Sequence, residues 1–273
     1  MSTSEVPLEE RFQFGENWAR FLRVLNDDRI AGAERSFVDV LGLDDLSGLD
    51  FLDIGSGSGL SSLVARRLGA RVHSFDFDPN SVACTQELRR RYFPDDPQWT
   101  VERGSALDPE YGKSLGQFDI VYSWGVLHHT GDMWKGIELA LDRVKPDGLF
   151  FVALYNDRGW ESRMWWHLKR LYVALPRPLQ APYAALAILP YEVRDALGKL
   201  VRGRPLDYVR SWKSVDRGMN RWRDIIDWVG GYPYEAVSVE SVTRFAGERG
   251  FTPVVVRETR GLGCHEMVYR KNG

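Results

Sequence analysis

What this chain lacks narrows its reading first. Only two of its 273 residues are cysteines, Cys84 and Cys264. Two cannot staple a chain of this length, and a reducing, cytoplasmic compartment is expected. No run approaches the roughly 20 apolar residues that a bilayer-spanning helix requires. The opening "MSTSEVPLEERFQFGENW" is polar and acidic, so a secretory leader with its basic start and apolar centre is not expected. Internal repeats and low-complexity tracts are missing, and no Cys, His or carboxylate cluster has ligand spacing, so no metal is expected. Strong charge of one sign is missing too. The 36 basic and 38 acidic side chains leave a net −2, and with no recognised binding motif a nucleic-acid partner is a poor reading.

Hydrophobic residues, by contrast, make up 44% of the chain, enough for a sizeable core. From 49 to 156 short apolar runs alternate with helical spacing. "LDFLDIG", "RVHSFDFD", "WTVERGSALD", "FDIVYSWG" and "LFFVALYND" read as five strands, with "KPDG" as a turn before the last. "LSSLVARRLGA", "PNSVACTQELRRRYF" and "MWKGIELALDRV" read as helices between them. Such alternation predicts an α/β fold, a mostly parallel sheet wound on both faces. Residues 1–48 are read as an N-terminal helical cap, 49–156 as the core, 157–234 as a helical insertion and 235–273 as core completion by a helix and two strands.

"FLDIGSGSGLSS" sets Asp53, Gly55, Gly57 and Gly59 between the first strand and its helix. Glycine there lets the backbone turn tightly and lets a ligand approach closely. A dinucleotide loop, G-x-G-x-x-G, would need its third glycine at position 60, which is Leu60. Asp76, at the end of the second strand, is placed to accept both hydroxyls of a ribose. Capping the next helix is its other reading, although Asp78 before Pro79 suits that better.

With "LDIGSGSG", "SFDFDP", "FDIVYSWGVLHH" and "VKPDGLFFVA", the chain resembles the class I S-adenosylmethionine-dependent methyltransferases, including those of quinol biosynthesis in its core. The resemblance covers about 49–156 and the closing helix and strands. It implies a Rossmann-like seven-stranded sheet of order 3-2-1-4-5-7-6 with S-adenosyl-L-methionine across the carboxyl ends of its first half. Gly55, Ser56, Gly57 and Gly59 would hold the methionine part, with Asp53 opposite in charge to the ammonium or sulfonium. Asp76 and Phe77 would take the ribose, Ser105 and Ala106 the adenine, and Trp124 and Gly125 would complete the contacts. Many relatives carry an acidic residue where Ser105 stands, so backbone groups would serve instead.

"SWGVLHHTGD" puts His128 and His129 just beyond the fourth strand. Ligands of open parallel sheets bind outside the carboxyl ends of the strands, and imidazole titrates in the right range for a base. His129 is the first choice as catalytic base and His128 the second. Structural packing of one ring is the competing reading; adjacent histidines seldom chelate one metal ion.

The segment between Arg158 and Arg223 carries 14 Lys/Arg against 5 Asp/Glu, a net +9, and extended to Trp228 it holds six of the ten tryptophans. An anionic small-molecule acceptor follows from that charge. Trp18, Tyr155, Trp165, Arg221 and Arg223 are the expected acceptor contacts. Two other roles stay open for the insertion: a membrane-surface contact through 171–190 and a homodimer interface. The function read from the sequence is O-methylation of a small, anionic molecule with a histidine base. N- or C-methylation of a lipid or quinol-type acceptor is the alternative, as is a non-catalytic S-adenosylmethionine-binding module.

Overall fold

Apolar runs of five to seven residues become strands here because helices cover both of their faces. The computed structural model describes residues 11–12, 15–213 and 221–273. Its strands form one sheet in the order β3-β2-β1-β4-β5-β7-β6, the order that the resemblance implied. β1 (Asp50–Ile54), β2 (Arg71–Asp76), β3 (Trp99–Arg103), β4 (Phe118–Trp124) and β5 (Val144–Tyr155) run parallel. β7 (Cys264–Lys271) pairs antiparallel with β5 and with β6 (Phe251–Arg257).

Alternation along the strands divides the core in two. Phe51, Ile120, Tyr122 and Phe151 face the layer of α1 (Gly15–Val24), α2 (Asp27–Leu41), α3 (Leu60–Arg67) and α4 (Pro79–Tyr92). Leu52, Val121, Phe150 and Val152 face α6 (Met133–Leu141) and α11 (Val239–Gly247). Tyr122 stacks on Phe151 with ring centroids 4.6 Å apart. Phe37 of α2 packs against both Phe51 and Tyr122, so the helices before β1 belong to the core rather than forming a cap of their own.

The described residues divide into two compact units, 15–158 with Glu235–Gly273, and Gly159–Tyr234 with Arg11 and Phe12. The second is helical: α7 (Trp160–Ala174), α8 (Arg177–Val201), α9 (Pro205–Lys213) and α10 (Arg221–Gly230). Trp165 is fully buried there between Tyr191 and Trp228. The buried ammonium of Lys169 sits 4.2 Å from the Trp228 ring centroid and 4.9 Å from that of Tyr234, and donates to the Trp228 carbonyl. Aromatic residues in this unit therefore build its own core.

Three local features depart from the sequence reading. "KPDG" lies inside β5, where the pairing with β4 shifts register and Asp147 takes φ 61; the turn is a bulge in a longer strand. A short helix, α5 (Pro109–Leu115), follows β3, its first turn capped by Asp108. α8 continues for 25 residues through Pro182 and Pro190. Each proline removes the N–H partner of the carbonyl four residues earlier. Those residues, Pro178 and Leu186, are exposed, so water can take the missing donor's place.

Candidate cofactor and acceptor site

The rim at the carboxyl ends of β1 and β2 is tied together by the backbone. Gly55 and Ser56 both donate to the Phe75 carbonyl, at 2.9 and 3.0 Å. Gly57 N–H donates to Asp76 Oδ2 and Asp78 N–H to Asp76 Oδ1, each at 2.9 Å. These backbone donors aim the Asp76 carboxylate across the loop. Burial pushes the Asp76 carboxyl up to about 6, against the pull of the Gly57, Asp78 and Phe77 N–H groups. Gly104 donates to the Asp76 carbonyl at 3.1 Å, which brings the Gly104–Ala106 turn beside it. Asp78 caps α4 through Asn80, as expected, and accepts from Gly15 of α1 at 3.1 Å.

The glycines fit a cradle with no room for side chains. Gly57 has φ 55, and a Cβ there would lie 3.1 Å from the Trp18 indole nitrogen. A Cβ on Gly55 would lie 2.3 Å from Cγ1 of Val126. Trp18, expected as an acceptor contact, therefore packs against the glycine loop. Around Gly125, with φ 72, the space a side chain would take is open. This combination of donors, glycines and carboxylate fits the methionine and ribose parts of an S-adenosyl ligand.

Other expected contacts fall differently. Asp53 is only 2% exposed and lies beneath the loop, accepting from Ser62, which bonds in turn to Ser74. Burial holds its carboxyl up to about 7. Ser56 is buried and bonds Thr85 at 2.9 Å. Phe77 lies under the Arg103 guanidinium, 5.7 Å from its centroid. Ser105 Oγ accepts from Leu107 N–H at 3.1 Å, and Ala106 packs into the core. Trp124 turns away from the glycine loop: its indole donates to Glu266 of β7 at 3.0 Å.

The two histidines separate. His128 is fully buried, its Nδ1 accepts the Tyr155 N–H at 3.2 Å, and its ring stacks on Tyr155 at 3.9 Å. His129 stays partly exposed and meets Tyr155 edge-on at 5.4 Å. Packing claims His128, and His129 is the more exposed of the two rings. Glu235 was missed. Its N–H donates to the His128 carbonyl and its carboxylate accepts from Met133 N–H, both at 3.0 Å, and burial holds it up to about 7. It lies 106 residues beyond His129 in the chain, and no spacing signal joins the two.

Two of the expected acceptor contacts in the helical unit are engaged within it. Trp165 has no exposed surface. Arg221 closes its fork on Glu192 at 2.8 and 3.0 Å and on Asp195 at 3.1 Å, so it serves the interior of that unit. The side chain of Arg223 lies outside the described residues.

Comparison with known proteins agrees with this architecture. A family model described as a methyltransferase domain matches residues 21–209. The ubiquinone biosynthesis O-methyltransferase of Methylobacterium sp. (strain 4-46) is 36% identical over 121 residues, 43% of this chain and 45% of that protein. The protein of the same name from Paramagnetospirillum magneticum is 32% identical over 141 residues, 50% of this chain and 54% of that one. The chain thus spans about half the length of these curated relatives. Magnesium protoporphyrin IX methyltransferase from Synechocystis PCC 6803, solved with bound SAH, shares the fold with a TM-score of 0.54 at 14% identity, covering 94% of this chain and 95% of that one. On the family match, the strand order and the glycine loop, the chain belongs to the class I methyltransferase-domain family, whose cofactor is S-adenosyl-L-methionine.

Proposed function

We propose that this protein transfers a methyl group from S-adenosylmethionine to an oxygen atom of a small acceptor. The observation that carries the reading is Asp76, held by Gly57 and Asp78 at 2.9 Å each and facing a loop covered by Trp18. When bound, the cofactor supplies a methyl group already activated on a sulfonium. The chain's own task is then to orient, to exclude water and to accept a proton. Asp76 holds the ribose, Gly55 to Gly59 the methionine part, and Trp18 shields that side. His129, partly exposed beside Tyr155, takes the proton of the acceptor hydroxyl; His128 positions it through Tyr155.

Oxygen as the acceptor atom is supported by the names of the curated relatives, which are O-methyltransferases. The net charge of +9 between Arg158 and Arg223 supports an anionic acceptor. Calorimetry with S-adenosylhomocysteine tests the cofactor half of the reading: Asp76→Ala should lower affinity at least tenfold. Transfer from methyl-labelled cofactor, screened over small acids and phenols, tests the other half. Tight cofactor binding with no transfer to any acceptor, unchanged in His129→Ala, would mark a non-catalytic binding module instead.

A further inference from the structure

α8 is turned the wrong way round for a helix in water. Its acidic residues point inward. Glu192 and Asp195 receive Arg221, Asp195 receives Lys199 at 2.8 Å, and Tyr208 donates to Glu192 at 3.0 Å. Its outward face carries Leu179, Leu186, Leu189, Val193, Leu197 and Leu200, all exposed, with Leu186 at 69%. Steps of three, four and seven residues keep these side chains on one stripe. At about 1.5 Å per residue the stripe runs for ~30 Å. An apolar face of this length on a surface helix marks an interaction site.

Charge decides what covers it. Arg177 stands at the amino end of α8, Arg194 within the stripe, and Arg202 and Arg204 just beyond the carboxyl end; all four are exposed. Every described Asp and Glu between Gly159 and Tyr234 is at least partly buried. A second copy docked through the same face would bring the Arg177, Arg194, Arg202 and Arg204 cations towards cations, and the described acids nearest to them, Glu192, Asp195 and Asp207, already pair with Arg221, Lys199 and Arg210. An anionic lipid surface answers both features, taking the leucines into its acyl boundary and the guanidinium groups at its phosphates. Among the described residues no helix is long and apolar enough to cross a membrane, so the contact lies along the surface.

We infer that α8 docks this protein, by its leucine stripe and flanking arginines, on an anionic lipid bilayer. The inference does not rest on methyl transfer, and its test needs neither cofactor nor acceptor.

Co-sedimentation of the full chain with vesicles of equal phosphatidylglycerol and phosphatidylcholine should show binding, and with phosphatidylcholine alone little. Two sets of exposed substitutions separate the parts. Leu186→Ser with Leu197→Ser should weaken binding about tenfold or more. Arg177→Gln, Arg194→Gln and Arg202→Gln should weaken it about fivefold per residue, and the remaining binding should depend less on salt. Circular dichroism and melting of each variant verify that the fold is retained. The inference fails if the parent ignores anionic vesicles, or if both variant sets bind as the parent does. It fails equally if light scattering shows a dimer that the leucine variant converts to monomer, because a second copy then covers the face.

Discussion

The imidazole of His128 lies almost parallel to the ring of Tyr155, 3.9 Å away at 28°, and its Nδ1 accepts the Tyr155 N–H at 3.2 Å. A ring nitrogen that accepts a backbone N–H carries no proton, so the proton of this imidazole is on Nε2. Ring and backbone together join the turn after β4 to the end of β5.

The two histidines should therefore fail in different ways. His128→Ala removes a fully buried ring and should cost about 3 kcal/mol of stability, read as a lower urea midpoint. His129→Ala should leave the midpoint within about 0.5 kcal/mol and lower the turnover rate about 100-fold at saturating cofactor. Equal turnover in His129→Ala and parent would remove the base from the mechanism.

Acid–base linkage gives a second expectation. Burial raises the carboxyls of Asp53 to about 7 and Asp76 to about 6, above the unfolded value. Each folded state holds its proton longer than the unfolded chain, so this contribution to stability is full below the unfolded pKa and is lost as pH rises through 6 to 7. A cationic ligand favours the ionised forms, so cofactor affinity should rise over the same interval with release of protons. Calorimetry at one pH in buffers of different ionisation enthalpy reads the proton count, and Asp53→Asn should reduce it.

Gly55→Ala places a methyl group 2.3 Å from Val126 Cγ1 on a backbone of φ 74. Destabilisation by about 2 kcal/mol or more is expected. Adding Val126→Ala should relieve the clash and leave the cost of the dihedral. A double-mutant cycle without coupling would place the strain elsewhere.

Arg221→Ala should act on stability rather than on acceptor affinity, because it strips the bidentate partner from Glu192 and the cation from Asp195. A loss of about 1–3 kcal/mol is expected, with the Michaelis constant for the acceptor unchanged. A raised Michaelis constant at unchanged stability would return Arg221 to the acceptor site.

Glu235→Gln should preserve the contact to Met133 N–H, whereas Glu235→Ala should cost about 1 kcal/mol as a lost cap. Below pH 7 the parent and the Gln variant should converge, since the parent carboxyl, held up to about 7, is then protonated. Melting curves at pH 6 and pH 8 check this.

The sequence by itself determined the layered α/β fold and the glycine turn after its first strand, while the strand order followed only from the family resemblance. The fold rests on local grammar: apolar runs of strand length alternating with helical spacing, and glycines where φ is positive. Tertiary structure decided which residues face a ligand and which face each other. Asp53 sinks below the loop, Trp18 closes over it, His128 turns to Tyr155 and Glu235 arrives from 106 residues away. The same holds for α8, where composition shows leucines and arginines while only packing reveals that Glu192 and Asp195 point inward and the leucines outward. Side-chain direction depends on what a helix packs against, and partners far along the chain leave no periodic trace in its letters.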